Sequence, residues 1–168
     1  VPANNWNLEN LISFLENISV GLNCWTWEEK PKTKTSTAVK WLIENEYHVQ
    51  NLLYLLLAPI FPRIKKEVNL PQQGHKNPRA DIYIPELHLI IEVKYRKDRT
   101  KKFVDLTEEL AADKTLYTAS EEYKDSKLIA FLWDNLASTE EHPKFKNGIC
   151  GFFDGCVVIS SPSCMRSS

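Results

Sequence analysis

The chain has 168 residues, enough for one domain with a substantial core. Hydrophobic residues make up 43% and charged residues 26%, which excludes a disordered polymer, and the longest apolar run, "NLLYLLLAPIF", is well short of the roughly 20 residues of a membrane span. A formal net charge of -1 excludes a globally basic surface, so a nucleic-acid partner would have to meet a local basic patch.

The first residue is Val1 and no signal-peptide pattern follows. We therefore expect a cytoplasmic protein that is a piece of a larger parent or works with a partner subunit. Cys24, Cys150, Cys156 and Cys164 form no CxxC pair, and their spacing matches no zinc motif. Reduced thiols are the expectation.

Residues 7–22 carry Leu8, Leu11, Ile12, Leu15 and Ile18 at helical spacing, with Gly21 as a stop signal. "EEKPKTKTST" reads as a lysine-rich loop, so residues 1–37 form an N-terminal helix and linker and residues 38–168 the main domain. A second helix is expected from about Ala38 to Ala58, ending ahead of Pro59 and Pro62. "RIKKEVNL" alternates like an edge strand, and "PQQGHKNP" is a loop by composition. "ADIYI" and "LHLIIEVKY" are two strands joined tightly through Pro85 and Glu86. Helical period returns over residues 105–123, and "KLIAFLW" is an unbroken apolar run of the kind found in central strands. "EEHPKFKNG" reads as a loop and "GCVVIS" as a last strand. The class is α/β, a mixed sheet flanked by helices.

Charges in the two central strands carry the chemistry. Strand alternation puts His88, Ile90, Glu92 and Lys94 on one face and Leu89, Ile91 and Val93 on the other. A Glu and a Lys two apart are ordinary on exposed strands, so alone they say little. Asp81 in the preceding strand changes that. Two carboxylates reaching one point from strands about 4.8 Å apart repel unless a cation lies between them, and hard oxygen ligands suit Mg²⁺ or Mn²⁺. Such an ion activates water for phosphodiester hydrolysis, and a neighbouring lysine can orient that water or neutralise charge on phosphate.

Two helix positions point the same way. The stripe of the second helix runs Leu42, Glu46, Val49, Leu53 and Leu56, which puts a carboxylate on the buried face. Glu46 could equally sit at the stripe's margin or pair with a core partner. In the later helix the stripe reads Leu106, Leu110, Asp113 and Tyr117, and Asp113 is again an acid on an inner face. It could instead cap the helix or pair with Arg79 or a lysine. Basic residues crowd the adjoining segments: Arg96, Lys97, Arg99, Lys101 and Lys102 in "KYRKDRTKK", and Arg63, Lys65, Lys66, His75, Lys76 and Arg79 before the strands. A solvated loop explains such runs as well as phosphate binding does. Trp25, Trp27 and Trp41 could stack on bases or pack in the core.

Glu46 on a helix, "RAD" with Asp81, "EVK" with Glu92 and Lys94, "ELAADKTLY", "LIAFLWD", the "HP…NG" segment and "VVISSP" together resemble the PD-(D/E)XK nuclease superfamily, in its restriction-endonuclease-like bacterial defence branch. The likeness spans about Glu46 to Pro162. It implies a metal-dependent nuclease acting on nucleic acid, DNA first, in a restriction or anti-phage defence system. It implies that Asp81, Glu92, Glu46 and the Val93 carbonyl hold Mg²⁺ or Mn²⁺, and that Lys94 is the catalytic lysine. Arg79, Arg96, Lys97, Arg99, Lys101, Lys102 and Tyr117 are then expected to contact nucleic acid. Cutting both strands usually needs two sites, so a homodimer is compatible. Two departures stand out: Ala80 occupies the position of the proline in the superfamily's name, and Glu109 stands where relatives carry glutamine. The alternatives are a catalytically silent binding module of the same fold, and an effector domain switched on by a sensor in a larger protein.

Overall fold

The computed structural model describes residues 5–24, 30–31, 33–37, 42–70 and 78–165. Trp25, Trp27, Trp41, His75 and Lys76 lie outside the described residues, as do most of the "PQQGHKNP" loop and the expected helical start at residues 38–41. Four helices, α1 (Leu8–Cys24), α2 (Glu46–Leu57), α3 (Phe103–Thr118) and α4 (His142–Ile149), flank five strands. The strands are β1 (Lys65–Asn69), β2 (Arg79–Ile84), β3 (Leu89–Arg96), β4 (Lys127–Asp134) and β5 (Gly155–Ser160). They form one mixed sheet in the order β1-β2-β3-β4-β5, the first two pairings antiparallel and the last two parallel. Among the described residues no helix is long and apolar enough to cross a membrane.

Alternation along the strands splits the core into two layers. On one face Ile82, Ile84, Leu89, Ile91, Val93, Ile129, Phe131, Trp133, Val157 and Ile159 meet α1 and α2. On the other Tyr83, Ile90, Leu128, Ala130, Leu132 and Cys156 meet α3 and α4. In α1 the residues Leu11, Leu15, Ile18 and Leu22 are buried at helical spacing, each contributing roughly 2 kcal/mol. This helix crosses β5 at Gly155, where a Cβ would fall 2.5 Å from Ile12 Cδ1.

Several expected boundaries move. Gly21 does not stop α1, which runs to Cys24. Residues 42–44 are not helical, and α2 begins at Glu46 because the Asn45 side chain caps it, accepting the His48 N–H at 3.0 Å. The helix expected to reach residue 123 ends at Thr118, and the following turns bury Tyr123 in the core. "HPKFKNGI" is helix α4, not loop: Pro143 fits the first turn, and Phe145 and Ile149, four apart, are both buried. His88 is a left-handed residue (φ 47°) closing the turn before β3, not part of the strand. β1 is an edge strand, as its alternating charges predict.

Candidate active site

The site is made by a fork between β2 and β3. Their ladder holds at Ile84↔Leu89, Tyr83↔Ile90 and Ile82↔Ile91 and goes no further. Beyond it, Ala80 and Arg79 remain paired to β1. The backbone of β3 that lost its partner is met by a side chain: Asp81 Oδ2 accepts the Val93 N–H at 2.7 Å. A strand residue on the ladder offers its N–H and C=O along the same edge. The Val93 carbonyl therefore faces the fork too.

Helix α2 supplies the second wall. Its inner stripe runs Glu46, Gln50, Leu53 and Leu57, steps of four, three and four, with Val49 and Leu52 beside it. Leu42 and Leu56 are not on it: Leu42 precedes the helix and is exposed, and Leu56 is only half-buried. The apolar part of the stripe packs on the sheet, and its polar end meets the fork. Gln50 is 4% exposed and donates Nε2 to Asp81 Oδ1 at 2.8 Å. No expectation named Gln50. Counting the 3–4 stripe back from Leu57 finds it, whereas counting from Leu42 does not.

Helix α3 closes the site from the other face. Lys94 is buried and lies between two carboxylates, 2.7 Å from Glu92 Oε1 and 2.8 Å from Asp113 Oδ2. Tyr117, expected against nucleic acid, is 2% exposed and donates its hydroxyl to Glu92 Oε2. Glu109 forms an ion pair with Lys101 at the rim.

The charges do not balance. Glu46, Asp81, Glu92 and Asp113 lie around the Lys94 ammonium, and the next cation, Lys101, is already paired with Glu109. Burial, with Glu46 close by, pushes the Asp81 carboxyl up to about 7 even though the Val93 N–H pulls it down. Burial and the Asp81 charge push Glu92 well above the carboxylate range, against the pull of Lys94. Burial also raises Glu46, reinforced by Glu109 and Asp113 and opposed by Lys94. Burial alone would lower Lys94, but Glu92 and Asp113 outweigh it and hold the ammonium protonated. Tyr117 is kept a neutral donor by burial and the Glu92 charge.

A divalent cation fits this donor set. The oxygens are hard, the surplus charge is negative, and the Val93 carbonyl points into the same fork. Among the described residues no three His, Cys, Asp or Glu side chains are grouped tightly enough to enclose a metal by themselves. Magnesium does not ask for that: one or two carboxylates, with waters and a substrate phosphate, complete its octahedron.

The remaining basic residues separate by position. Lys97 and Arg99 are exposed on the loop after β3, and Lys102 stands exposed at the start of α3. Arg79 is exposed and 3.8 Å from Glu67. Arg96 instead turns inward at 6% exposure. Its Nη1 donates to Asp134 Oδ1 at 3.2 Å and to Ser138 Oγ at 2.9 Å, and its Nε to the Lys101 carbonyl at 2.9 Å.

A family model described as REase_DpnII-MboI matches residues 16–163. No curated protein and no solved structure matches the chain.

Proposed function

The chain belongs to the DpnII-MboI restriction endonuclease family, and from that premise we propose that it hydrolyses DNA with a divalent cation at the fork of β2 and β3, as part of a restriction or anti-phage defence system in the cytoplasm. The observation that carries this is the convergence of Asp81, Glu92 and Lys94 at a broken strand ladder with surplus negative charge. Asp81, Glu92 and the Val93 carbonyl would hold Mg²⁺ or Mn²⁺, with Glu46 within reach of the same space through water. The bound ion supplies Lewis acidity and neutralises charge on the phosphate.

The protein's own groups divide the remaining work. Lys94 stays charged, so it acts as a cation that orients the phosphate and stabilises the charge developing on it, not as a base. Gln50 and the Val93 N–H hold both oxygens of Asp81, which fixes its direction. Tyr117 and Lys94 do the same for Glu92. Glu46, half-buried at the start of α2 with its proton affinity raised, suits the role of accepting the proton given up by the attacking water. Water attacks phosphorus, the opposite P–O bond breaks, and solvent protonates the leaving oxygen. Two copies of the chain would serve the two strands of a duplex.

The test is plasmid DNA incubated with purified protein and Mg²⁺ or Mn²⁺. Cleavage is expected, with loss on chelation and in Asp81→Ala and Lys94→Ala. Unchanged cleavage in either variant would show that the chemistry lies elsewhere.

A further inference from the structure

The groove between α3 and α4 is not part of the cleavage centre just described. It is an open cavity of about 550 Å³, and its lining includes Arg96, Lys102, Phe103, Val104 and Phe145. Lys144 on α4 also faces it, and Glu141 is the one acid in its wall among the described residues. Both helices cover the same face of the sheet as Glu92 and Lys94, and both begin at the carboxyl ends of the parallel strands β3 and β4. Crevices at that end of parallel strands are where α/β folds hold ligands.

Arg96 ties the groove to the catalytic strand. It follows Lys94 by two residues on the same face of β3, an advance of about 6.6 Å. That is close to one step between neighbouring phosphates of a nucleic-acid strand. The guanidinium is held on three sides, by Asp134, Ser138 and the Lys101 carbonyl, and lies 4.4 Å over the Phe103 ring. Its Nη2 donates to no group among the described residues, although the residue is almost fully buried. A guanidinium fixed in this way and still carrying free donors is preorganised for an anion. Lys102 and Lys144 have no carboxylate partner among the described residues, so two more cations border the same space. Apart from Thr107 and Glu141, the remaining wall is apolar. Phe103 packs edgewise on His142 and tilted against Phe145, and Val104 is 56% exposed with nothing over it. A cationic rim over an aromatic floor suits a molecule with a phosphate at one end and a flat ring at the other.

We propose that this groove binds one nucleotide of the substrate strand beside the cleaved bond, its phosphate on Arg96, Lys102 and Lys144 and its base against Phe103 and Val104. This rests on the nuclease reading and adds to it a subsite that takes a base out of the stack.

Two variants probe it without disturbing the core. Lys102→Glu with Lys144→Glu reverses the exposed charge. Gly148→Leu fills the groove: a Cβ at Gly148 meets nothing within 4 Å, and leucine suits a helix better than glycine. Lys124→Glu, outside the groove's lining, is the control. The cut position is first mapped on wild-type protein with Mg²⁺. Binding is then measured with Ca²⁺ in place of Mg²⁺, on duplexes carrying 2-aminopurine at successive positions around the cut. One flanking position should brighten on binding. Both groove variants should lose that signal and bind at least tenfold more weakly. The charge-reversed variant should also lower the slope of log affinity against log salt by about 1. Wild-type affinity, slope and fluorescence in the variants, with cleavage intact, would overturn the subsite and leave the nuclease standing. A lower slope with no brightening anywhere would overturn the base contact and hence the nucleotide assignment. Absence of both cleavage and DNA binding in the wild-type protein would remove the nuclease reading and the subsite together.

Discussion

Two buried charge clusters share strand β3, and they are built on opposite principles. At Asp81, Glu92 and Lys94 the acids outnumber the cation, and both Asp81 and Glu92 are pushed toward the protonated form. At Asp134, four residues further along the sheet register than Ala130, which pairs with Glu92, the balance is reversed. Asp134 is fully buried, yet its oxygens accept from Arg96, His142 and the Leu136 and Ser138 N–H groups. Burial alone would raise its carboxyl, but His142, Ser138 and Arg96 together hold it below the usual range. A buried carboxylate that is fully paired is structural, because each donor offsets its desolvation. A buried carboxylate left short of positive charge keeps an uncompensated desolvation cost, which is why we propose the cation there. The difference lies in the partners, not in the residue type.

The largest expected effect separates the clusters by activity. Glu92→Gln should lower DNA cleavage by a thousandfold or more, comparable to losing a ligand and its charge at once, read from initial rates with saturating Mg²⁺. Asp134→Asn should leave a folded fraction that still cuts, since Asp134 touches neither Glu92 nor Lys94.

Stability should show the opposite order. Asp134→Ala leaves Arg96 and His142 without their carboxylate and should cost about 3–5 kcal/mol in urea unfolding, unrelieved by Mg²⁺. Asp81→Asn should instead stabilise the metal-free protein at pH 8, on the order of 3 kcal/mol, because it removes an ionised carboxyl that the folded state disfavours.

The pH dependence follows with opposite signs. Asp81 titrates at about 7 in the folded protein and at 3.8 ordinarily, so the folded state holds its proton more tightly. Metal-free stability from this group therefore falls as pH rises from about 4 to about 7 and stays low above it. The stability gap between Asp81→Asn and wild type should thus widen over that window and close near pH 4. Adding Mg²⁺ should shrink it, because the cation replaces the proton. Asp134, held low, contributes stability above its ordinary 3.8 that is lost as pH falls below it. A melting series from pH 3 to 8 on the two variants checks both signs.

The smallest effect concerns orientation alone. Gln50→Leu keeps the volume of the side chain and removes the donor to Asp81 Oδ1, so cleavage should drop about 10–100-fold, with weaker Mg²⁺ binding and little change in DNA affinity. Wild-type rates in this variant would mean that the Val93 N–H positions Asp81 unaided.

Sequence alone determined the strands and the side of β3 that carries Glu92 and Lys94. Period-two alternation is local, so Glu92, Lys94 and Ile90 had to share a face wherever the sheet lay. The stripe through Leu106, Leu110, Asp113 and Tyr117 was legible for the same reason, and the structure joins Asp113 to Lys94. The short turn between the two strands placed Asp81 beside them. Three things depended on tertiary structure. The start of α2 was decided by the Asn45 cap and by packing on the sheet, which shifted the stripe and brought in Gln50. Helix α4 formed from a segment rich in proline, lysine and glycine because Phe145 and Ile149 found a core to bury in. Tyr117 and Arg96, which the resemblance assigned to nucleic acid, are turned inward, one onto Glu92 and the other onto Asp134, because each met a buried carboxylate supplied by a strand distant in sequence. Periodicity reports which residues share a face; which charge waits on the far side is settled only when the strands meet.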